Sequence, residues 1–553
     1  MTSGGDVVAR VLAENGVERT YVLLGNQTVS TAQGLFDRDV DVVSARHEYN
    51  AAVMADTHGR LTGKPGVALT VAGPGGTNAL TGVAQAYTAA SPVVFLSAVL
   101  PEDAPTEALH GVDDPHFLEH AFADATKWST QVHDAERLPG TLNRAFDVAT
   151  SGRPGSVFVG VDEEILMNDV DVPERRFTWT HHEDTPPAPA TTAAAVEPIQ
   201  RAARRVLYVG KGVSRAFAAD DAVSIAELLD CPVVCPRHYP DSFPNDHELF
   251  VGTVGMADHP AATAALDRAD AVLSLGVRVS SHEVEVLDAR TPDGVEVVFL
   301  DSGARETPKM LAADVVSGDL EAILADARAA LESGAGETDA DYREAALAAA
   351  DQVREELQAY YEEVRNQAPI HPFVVVRALR AVADDDVVVT GDAGAAGGAW
   401  PNDAFEYRTT NTFQHSRLYD SMGFPVPAGT AAKLVHPDRQ VVNLVGDGGF
   451  LMCNMELATA VATNTDAVTI VMNDAKYGMI RNYQHRSGFD EVATDIPRVD
   501  IAALAESFGV RGVRVEEPDN VRPAIEDALE ANKHTVLDVI VDPDAEYVSR
   551  TIW

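Results

Sequence analysis

The sequence predicts an α/β protein made of three doubly wound parallel-sheet domains. Two observations carry this prediction: short apolar segments alternate with helix-like stretches in three successive blocks, and polar stretches separate the blocks. A length of 553 residues also suits three or four domains of about 150 residues each. We place the domains at residues 1–168, 190–333 and 365–553.

The first block contains the clearest alternation. Its strand-like segments are short and almost wholly apolar, and helix-like segments follow them. Such strands are typical of a parallel sheet that helices cover on both faces. The predicted strands are Tyr21–Leu24, Val40–Ser44, Val67–Val71, Pro92–Ser97 and Ser156–Val161, and the predicted helices include Asn50–Leu61 and Asn78–Ala89.

The second and third blocks repeat this alternation. Residues 170–192 are rich in Pro, Thr and charge and indicate a linker, whereas the Ala- and acid-rich stretch Ala325–Glu356 predicts a helical connector. In open α/β sheets ligands bind at the carboxyl ends of strands, which directs attention to the residues after Thr390, Val445 and Met472. The predicted strands are Val206–Val209, Ala271–Leu275 and Val295–Leu300 in the second block, and Asp386–Thr390, Gln440–Val445, Ala467–Met472 and Thr535–Val541 in the third.

The charge of the chain is unusual. Asp and Glu total 85 against 42 Lys and Arg, only seven of which are Lys, and the formal net charge is −43. The acidic residues are spread along the whole chain, and salt would screen their mutual repulsion. We favour adaptation to a salty cytoplasm over an acidic protein from an ordinary one. No basic cluster is present that could neutralise nucleic-acid phosphates, so nucleic acid is not an expected partner.

Cysteine usage and hydropathy predict a cytoplasmic protein without membrane segments. Cys231, Cys235 and Cys453 are too few for a disulfide framework and lack the second ligand pair of a structural zinc site. The N-terminus has no basic segment followed by an apolar one, and no uninterrupted apolar run approaches 18 residues.

The strongest chemical signal lies in the third block, in two loops that follow predicted strands. The first loop contains Gly446, Asp447, Gly448 and Gly449, and the second, Asn473 to Met479, begins after 24 further residues counted from Gly448. Glycines at a strand end let backbone N–H groups approach an anion, and a following helix favours negative charge. The carboxylates of the two loops are hard oxygen ligands, which suit Mg²⁺ shared with phosphate oxygens. The pattern therefore predicts a diphosphate–magnesium site.

This arrangement resembles the signature of thiamine-diphosphate-dependent enzymes of the acetolactate synthase and 2-oxo acid decarboxylase family. The resemblance implies metal ligands at the side chains of Asp447 and Asp474 and at the backbone carbonyl of Lys476. It implies cofactor contacts in the same two loops at Gly446, Gly448, Gly449, Tyr477, Gly478 and Met479. The family usually has Asn where Asp474 stands, so this chain carries an additional negative charge beside the diphosphate.

Two further segments of the third block extend the resemblance. The segment from Ser421 to Pro425 is similar to the family's loop in which an apolar residue, here Met422, separates the two rings of the cofactor and imposes its bent conformation. Asp420 is its neighbour and is a further expected cofactor contact. The loop of Gly391, Asp392 and Gly394 is similar to the family's first diphosphate-contacting loop.

The first block resembles the pyrimidine-binding domain of the same family. A predicted strand ends at Arg46-His47-Glu48, and the segment Gly73–Asn78 follows the next strand. The resemblance implies that Glu48 contacts the aminopyrimidine and promotes its proton relay, which is general acid–base catalysis. It also implies a pyrimidine-binding first domain, a central domain and a diphosphate-binding third domain. In the family, the first and third come from different subunits, so a homodimer or homotetramer with active sites between subunits is expected.

The substrate pocket and the central domain are less well determined. Asn26, Gln27, His116 and His415 are candidate substrate contacts by position alone, and Tyr547 and Arg550 in the C-terminal tail could cover the pocket. Some relatives hold flavin (FAD) in the central domain. We do not favour FAD here, because Arg215 interrupts the Gly-x-Gly-x-x-Gly pattern that begins at Gly210.

The resemblance predicts C–C bond chemistry on a 2-oxo acid. We favour condensation of pyruvate of the acetolactate synthase kind, because several motifs are close to that group and no His stands where many simple decarboxylases keep one. The alternatives are a non-ligating 2-oxo acid or oxalyl-CoA-type decarboxylase, a cyclic-dione hydrolase, and a catalytically silent cofactor-binding homologue.

Overall fold

The computed structural model describes residues 2–105, 107–172, 185–255, 259–277, 287, 289–303, 313–416 and 418–545. Three six-stranded parallel sheets with helices on their faces dominate the chain, which confirms the predicted three-unit α/β architecture. A two-stranded antiparallel ribbon, β1 (Thr2–Ser3) with β8 (Asp169–Val170), joins the two ends of the first unit. Among the helices that are described, none is both long and apolar enough to cross a lipid bilayer.

The first sheet has the strand order β3-β2-β4-β5-β7-β6. Its central strands are buried along their full length, as two-sided helix cover requires. The strands are β2 (Arg19–Val22), β3 (Asp41–Ser44), β4 (Gly66–Thr70), β5 (Val93–Val99), β6 (Trp128–Val132) and β7 (Ser156–Asp162). The helices are Gly4–Glu14, Val29–Phe36, Glu48–Thr62, Pro74–Thr88, Phe117–Ala123, Leu138–Thr150 and Glu163–Met167.

The central sheet has the order β11-β10-β9-β12-β13-β14, so the strand order reverses between β9 and β12 while all strands remain parallel. That reversal is the usual ligand position in a doubly wound sheet. The strands are β9 (Arg205–Val209), β10 (Val233–Pro236), β11 (Phe250–Val254), β12 (Ala271–Leu275), β13 (Glu296–Asp301) and β14 (Asp314–Ser317). The helices are Pro189–Arg201, Lys211–Arg215, Ala219–Leu229, Pro260–Leu266 and Leu320–Leu331, and the helix Ala340–Val364 leads to the third unit.

The third sheet has the order β16-β15-β17-β18-β20-β19. When the six strands of each sheet are numbered along the chain, this order is the same as that of the first sheet. Its strands are β15 (Val388–Gly391), β16 (Phe413–His415), β17 (Val441–Gly446), β18 (Val468–Asn473), β19 (Arg511–Val515) and β20 (Thr535–Ile540). Its helices are Pro372–Val382, Trp400–Ala404, Pro425–Val435, Asp447–Cys453, Leu457–Ala462, Gly478–Arg486, Ile501–Ser507 and Val521–Glu530, and a π-helical turn spans Ala395–Ala399.

The first and third units pack directly against each other within the chain. The helix Glu48–Thr62 lies on the helix Pro425–Val435. Arg60 forms a buried ion pair with Asp56 at 2.5 Å, and its Nη1 donates to the carbonyl oxygen of His415 at 2.7 Å. A buried charge that is fully paired in this way is costly to disturb, so the two units are held in one relative position.

The predicted connector was wrong in one respect. Two helices, Leu320–Leu331 and Ala340–Val364, occupy this part of the chain. The first is not a connector, because Ile323, Leu324 and their apolar neighbours pack into the core of the central sheet. The chain leaves the helix at Gly334, which has a φ of 118° that glycine adopts without strain.

Candidate functional site

A cavity of about 270 Å³ lies at the carboxyl ends of β15, β17 and β18 in the third sheet. Most cofactor and metal residues predicted in this block line it. They are Asp392, Gly394, Asp420, Met422, Gly446, Asp447, Gly448, Gly449, Asp474, Lys476, Tyr477, Gly478 and Met479. Trp400 and Asp542 also line the cavity, and neither was predicted.

Asp447 and Asp474 bring a buried and a half-buried carboxylate to one end of this cavity. Asp447 Oδ1 accepts from the backbone N–H of Gly448 at 2.8 Å, and Asp474 Oδ1 accepts from that of Lys476 at 3.0 Å. Burial raises the pKa of Asp447 to about 7, with a further contribution from the charge of Asp474, and raises the pKa of Asp474 to about 6. A divalent cation would relieve this concentration of negative charge, and carboxylate oxygens are ligands that Mg²⁺ prefers.

Lys476 contributes its backbone rather than its charge to this end of the cavity. Its Nζ pairs with Glu491 Oε1 at 2.5 Å and with Asp495 Oδ1 at 2.7 Å. The ammonium group is therefore engaged with two surface carboxylates. This arrangement suits a role for Lys476 through its carbonyl oxygen.

The glycines of the first loop allow close packing around the cavity. A Cβ on Gly449 would lie 1.8 Å from Asp392 Oδ2, and one on Gly448 would lie 2.7 Å from the Tyr477 ring. No side chain fits at either position, so the backbone itself forms the cavity wall. Together with the hard oxygen donors, this wall fits a diphosphate–magnesium group. Gly391 is the exception among the predicted contacts, because it does not line the cavity and instead packs its Cα against Gly397.

Asp392 holds the loop that carries Met422. Its Oδ1 accepts from the backbone N–H groups of Gly423 at 2.9 Å and Phe424 at 3.2 Å. Its Oδ2 is buried without a hydrogen-bond partner among the described residues. Burial raises the pKa of Asp392 to about 7, although the two N–H donors oppose this shift. Sequence reasoning assigned Asp392 to the diphosphate, and the structure adds this contact with the Met422 loop.

A second set of contacts with the Met422 loop comes from the first unit. The Tyr49 hydroxyl lies 2.9 Å from Ser421 Oγ and 3.3 Å from the Met422 carbonyl oxygen. Ser421 Oγ also donates a short hydrogen bond to Gln85 Oε1. Sequence reasoning missed Tyr49 and Gln85. The available signal was the position of Tyr49 directly after Glu48 at the start of a helix.

Glu48 lies at the carboxyl edge of the first sheet. It begins the helix Glu48–Thr62, is 8% exposed, and accepts at Oε2 from Asn78 Nδ2 at 3.1 Å. Asn78 belongs to the helix that follows β4, so two neighbouring strand ends position this carboxylate. Glu48 does not line the cavity of Asp447 and Met422 in the same chain.

The candidate substrate residues lie apart from that cavity within one chain. Gln27 is buried, and its amide accepts from the Ala72 N–H at 2.9 Å and donates to Glu163, so it links the segments that follow β4 and β7. Asn26 is exposed beside it, and His116 caps the helix Phe117–Ala123. His415 is buried at the end of β16 beside Gly391 and Gly398. Tyr547 and Arg550 lie outside the described residues.

A larger cavity of about 500 Å³ lies between the first and central units, at the reversal of the central sheet. Gly212, Arg215 and Gly276 line it, and so do residues of the first unit such as Lys64 and Arg153. A ligand of the central domain would bind in this cavity, because it lies at the strand-order reversal of the central sheet. Residues 278–286, which follow β12, lie outside the described part of the chain.

Comparison with protein families accounts for this arrangement. The N-terminal TPP-binding domain of thiamine pyrophosphate enzymes matches residues 2–118, the central domain matches residues 192–333, and the C-terminal TPP-binding domain matches residues 392–539. The chain therefore belongs to the thiamine pyrophosphate enzyme family, which confirms the resemblance found in the sequence. Its cofactor is thiamine diphosphate.

Named relatives of this chain include acetolactate synthases. The acetolactate synthase of Bacillus subtilis is 30% identical over 98% of this chain and 93% of its own length. The probable acetolactate synthase large subunit of Methanocaldococcus jannaschii is 28% identical over 98% and 92%. The large subunit of acetolactate synthase isozyme 2 of Escherichia coli is 29% identical over 98% and 96%.

Proposed function

We propose that this enzyme condenses pyruvate in the manner of acetolactate synthase. The cavity at the third sheet supports the proposal most directly, because it combines the neighbouring carboxylates of Asp447 and Asp474 with the Met422 loop. The names of the relatives support the choice of reaction over simple decarboxylation. Bound thiamine diphosphate supplies an electron sink that accepts the electron pair left when carbon dioxide departs from a 2-oxo acid.

The residues of the cavity have separate roles in this proposal. Asp447, Asp474 and the carbonyl oxygen of Lys476 hold Mg²⁺, and the glycine backbone from Gly446 to Gly449 lies against the diphosphate. Met422 presents an apolar side chain to the rings of the cofactor. These groups position the cofactor before reaction, so little reorganisation is needed at the moment of bond cleavage.

Glu48 has the catalytic role in the proposal. It transfers a proton at the aminopyrimidine, which general acid–base catalysis requires. Asn78 donates to its Oε2 and so fixes the direction in which the carboxyl group points. The adjacent Tyr49 touches the Met422 loop of its own chain, whereas Glu48 lies outside the cavity of that chain.

This separation supports a homo-oligomer in which Glu48 of one subunit completes the cavity of another. Exposed apolar side chains surround both carboxyl edges, and surface of this kind marks contact with another protein. Those at the first sheet include Leu24 and Val29, and those at the third include Tyr419, Ile480, Tyr483 and Phe489.

Two further parts of the proposal concern the central domain and salt. We do not include FAD as a required cofactor, because Arg215 interrupts the Gly-x-Gly-x-x-Gly pattern that begins at Gly210, and Lys211 of that loop is already paired with Asp241 at 2.6 Å. The net charge of −43 supports activity that needs high salt, since counterions screen the repulsion between carboxylates.

The test is turnover of pyruvate by the purified protein in molar KCl with Mg²⁺ and thiamine diphosphate. Carbon dioxide and acetolactate are measured together, and omission of pyruvate is the control. Release of both products is the expected result. Carbon dioxide with acetaldehyde alone would replace the proposal with a non-ligating decarboxylase. Thermal stabilisation by the cofactor without any turnover would keep the cofactor site and reject pyruvate as the substrate.

A further inference from the structure

A second cluster of potential metal ligands lies at the carboxyl edge of the first sheet, outside the cofactor cavity. Glu102 follows β5, His133 follows β6, and His116 caps the helix Phe117–Ala123. One ligand atom from each of the three lies within 4.8 Å of the other two. Because the three residues come from three separate segments, the tertiary fold brings them together rather than their order in the chain.

Both histidines are oriented by a carboxylate on the Nδ1 side of the ring. His133 Nδ1 lies 3.0 Å from Oδ2 of Asp162, which is 6% exposed at the end of β7, and His116 Nδ1 lies 3.5 Å from Glu119 Oε2. A carboxylate in this position favours the hydrogen on Nδ1, and an ion bound to Nε2 of His133 would replace the direct contact of Nε2 with Gln131 Oε1. Metal-bound histidines are oriented in the same way.

The surroundings of His133 offer a fourth ligand atom. The Oε1 atom of Gln131 lies 3.0 Å from His133 Nε2, and an amide oxygen can bind a metal ion. His133 is largely buried, with 14% of its side chain exposed, while Glu102 lies at the surface and can adjust its position. A rigid inner ligand with a movable outer one allows the cluster to close around an ion.

We propose that Glu102, His116 and His133 form a binding site for a zinc-like transition-metal ion. Two imidazole nitrogens with one carboxylate oxygen suit Zn²⁺ or Co²⁺, whereas Mg²⁺ prefers oxygen ligands throughout. The site is therefore chemically distinct from the Asp447 and Asp474 site.

The ion would fasten the segment that follows β5 to the edge of the sheet. This segment lies on Gly73, because a Cβ there would be 2.3 Å from the carbonyl oxygen of His110. Gly73 precedes the helix Pro74–Thr88, which carries Asn78, the partner of Glu48. The ion would thus limit movement of the helix that carries Asn78 and so help to hold Glu48 in position. Binding of the ion does not depend on the proposed reaction.

The experiment measures metal binding directly. Untagged protein is treated with a chelator and saturated with Mg²⁺ and thiamine diphosphate, so that the Asp447 site is occupied. Zn²⁺ is then titrated calorimetrically, and Co²⁺ is followed by its visible absorption. One tight Zn²⁺ per chain is expected, with a visible Co²⁺ band of low coordination number. Absence of a stoichiometric site would overturn the proposal.

Variants locate the ion. His133→Ala and Glu102→Gln should each weaken Zn²⁺ binding more than tenfold, and Asp162→Asn should weaken it by about tenfold through the orientation of His133. Glu102 is exposed, so its variant should fold normally. His120→Ala is the control, because His120 is exposed and pairs with Asp114 instead. Unchanged binding in both His133→Ala and Glu102→Gln would place the ion elsewhere and refute the site.

Discussion

The first and third sheets have the same strand order but differ in what their carboxyl edges present. In both, the order runs second, first, third, fourth, sixth and fifth strand. The third sheet has a cavity lined by buried Asp392 and Asp447 and half-buried Asp474, whereas at the first sheet buried Glu48 has Asn78 beside it and lies apart from buried Asp162 at the end of β7. The shared topology determines where each edge lies, and the side chains determine what each edge can do.

This difference suggests a division of labour between binding and chemistry. A group of buried carboxylates is unfavourable until a cation joins it, so the third edge is suited to hold a metal and an anionic cofactor. A lone carboxylate held by one amide can still exchange a proton, so the first edge is suited to catalysis. Substitutions at the two edges should therefore have different signatures.

The largest effect is expected at the third edge. Asp447→Ala removes a proposed metal ligand and should abolish the thermal stabilisation expected from Mg²⁺ and thiamine diphosphate, which is about 2.7 kcal/mol at a ligand concentration of 100 Kd. Turnover should disappear with it. Thermal unfolding with and without cofactor is the measurement, and Asp438→Ala, an exposed site before β17, is the control. Full stabilisation of the Asp447 variant would show that the third edge does not hold the metal.

Substitution at the first edge should separate binding from turnover. Glu48→Gln keeps the size and the Asn78 contact of the side chain but removes its proton exchange, so kcat should fall about 10²- to 10⁴-fold. Stabilisation by the cofactor should remain. Exposed Glu18 provides the matched control, Glu18→Gln. Unchanged turnover would remove Glu48 from the mechanism, and loss of cofactor binding would break the division between the two edges.

The pH dependence of Mg²⁺ binding should further distinguish the third edge from the first. Burial raises the pKa of Asp447 to about 7, well above its unfolded value, so its protonation stabilises the metal-free fold at low pH and this contribution is lost as pH rises through 7. Mg²⁺ needs the deprotonated form, so its affinity should rise over the same window. Asp474→Asn removes a neighbouring charge and should move this rise downward by up to about one pH unit.

Titrations of Mg²⁺ between about pH 5 and 8 in both proteins measure this shift. The difference between the two profiles reports the titration of Asp474 itself together with its effect on Asp447. Identical profiles would mean that Asp474 neither titrates in this window nor acts on Asp447.

A smaller effect is expected where the two units meet. Tyr49→Phe removes the hydroxyl near Ser421 and Met422 but preserves the ring. The Met422 loop therefore loses a hydrogen-bonding partner worth about 0.5–1.5 kcal/mol. We expect kcat to fall roughly 2- to 12-fold with little change in Mg²⁺ affinity. Tyr360→Phe is a control outside the site, since its hydroxyl contacts His371. An equal loss in both variants would indicate general destabilisation instead.

The sequence by itself determined the local features of this protein. Apolar segments buried on both faces, such as β5 and β17, and the glycine- and acid-containing loops that follow β17 and β18 are each encoded within a few residues. These features were enough to predict the α/β architecture, the family and most of the candidate residues that line the cavity of the third sheet.

Sequence reasoning failed where burial depends on distant neighbours. Of the strands in the three six-stranded sheets, six were not predicted, and five of these, β6, β11, β14, β16 and β19, are at sheet edges. An edge strand has a neighbour on one side only, so its sequence need not form an apolar run.

Only the tertiary structure decided which polar groups meet. It joins Tyr49 to Ser421 across 372 positions of sequence and gathers Glu102, His116 and His133 from three segments. No local pattern encodes such contacts, because a hydrogen bond or a metal site needs only the right atoms a few ångströms apart. The packing of sheets and helices, rather than spacing along the chain, sets those distances.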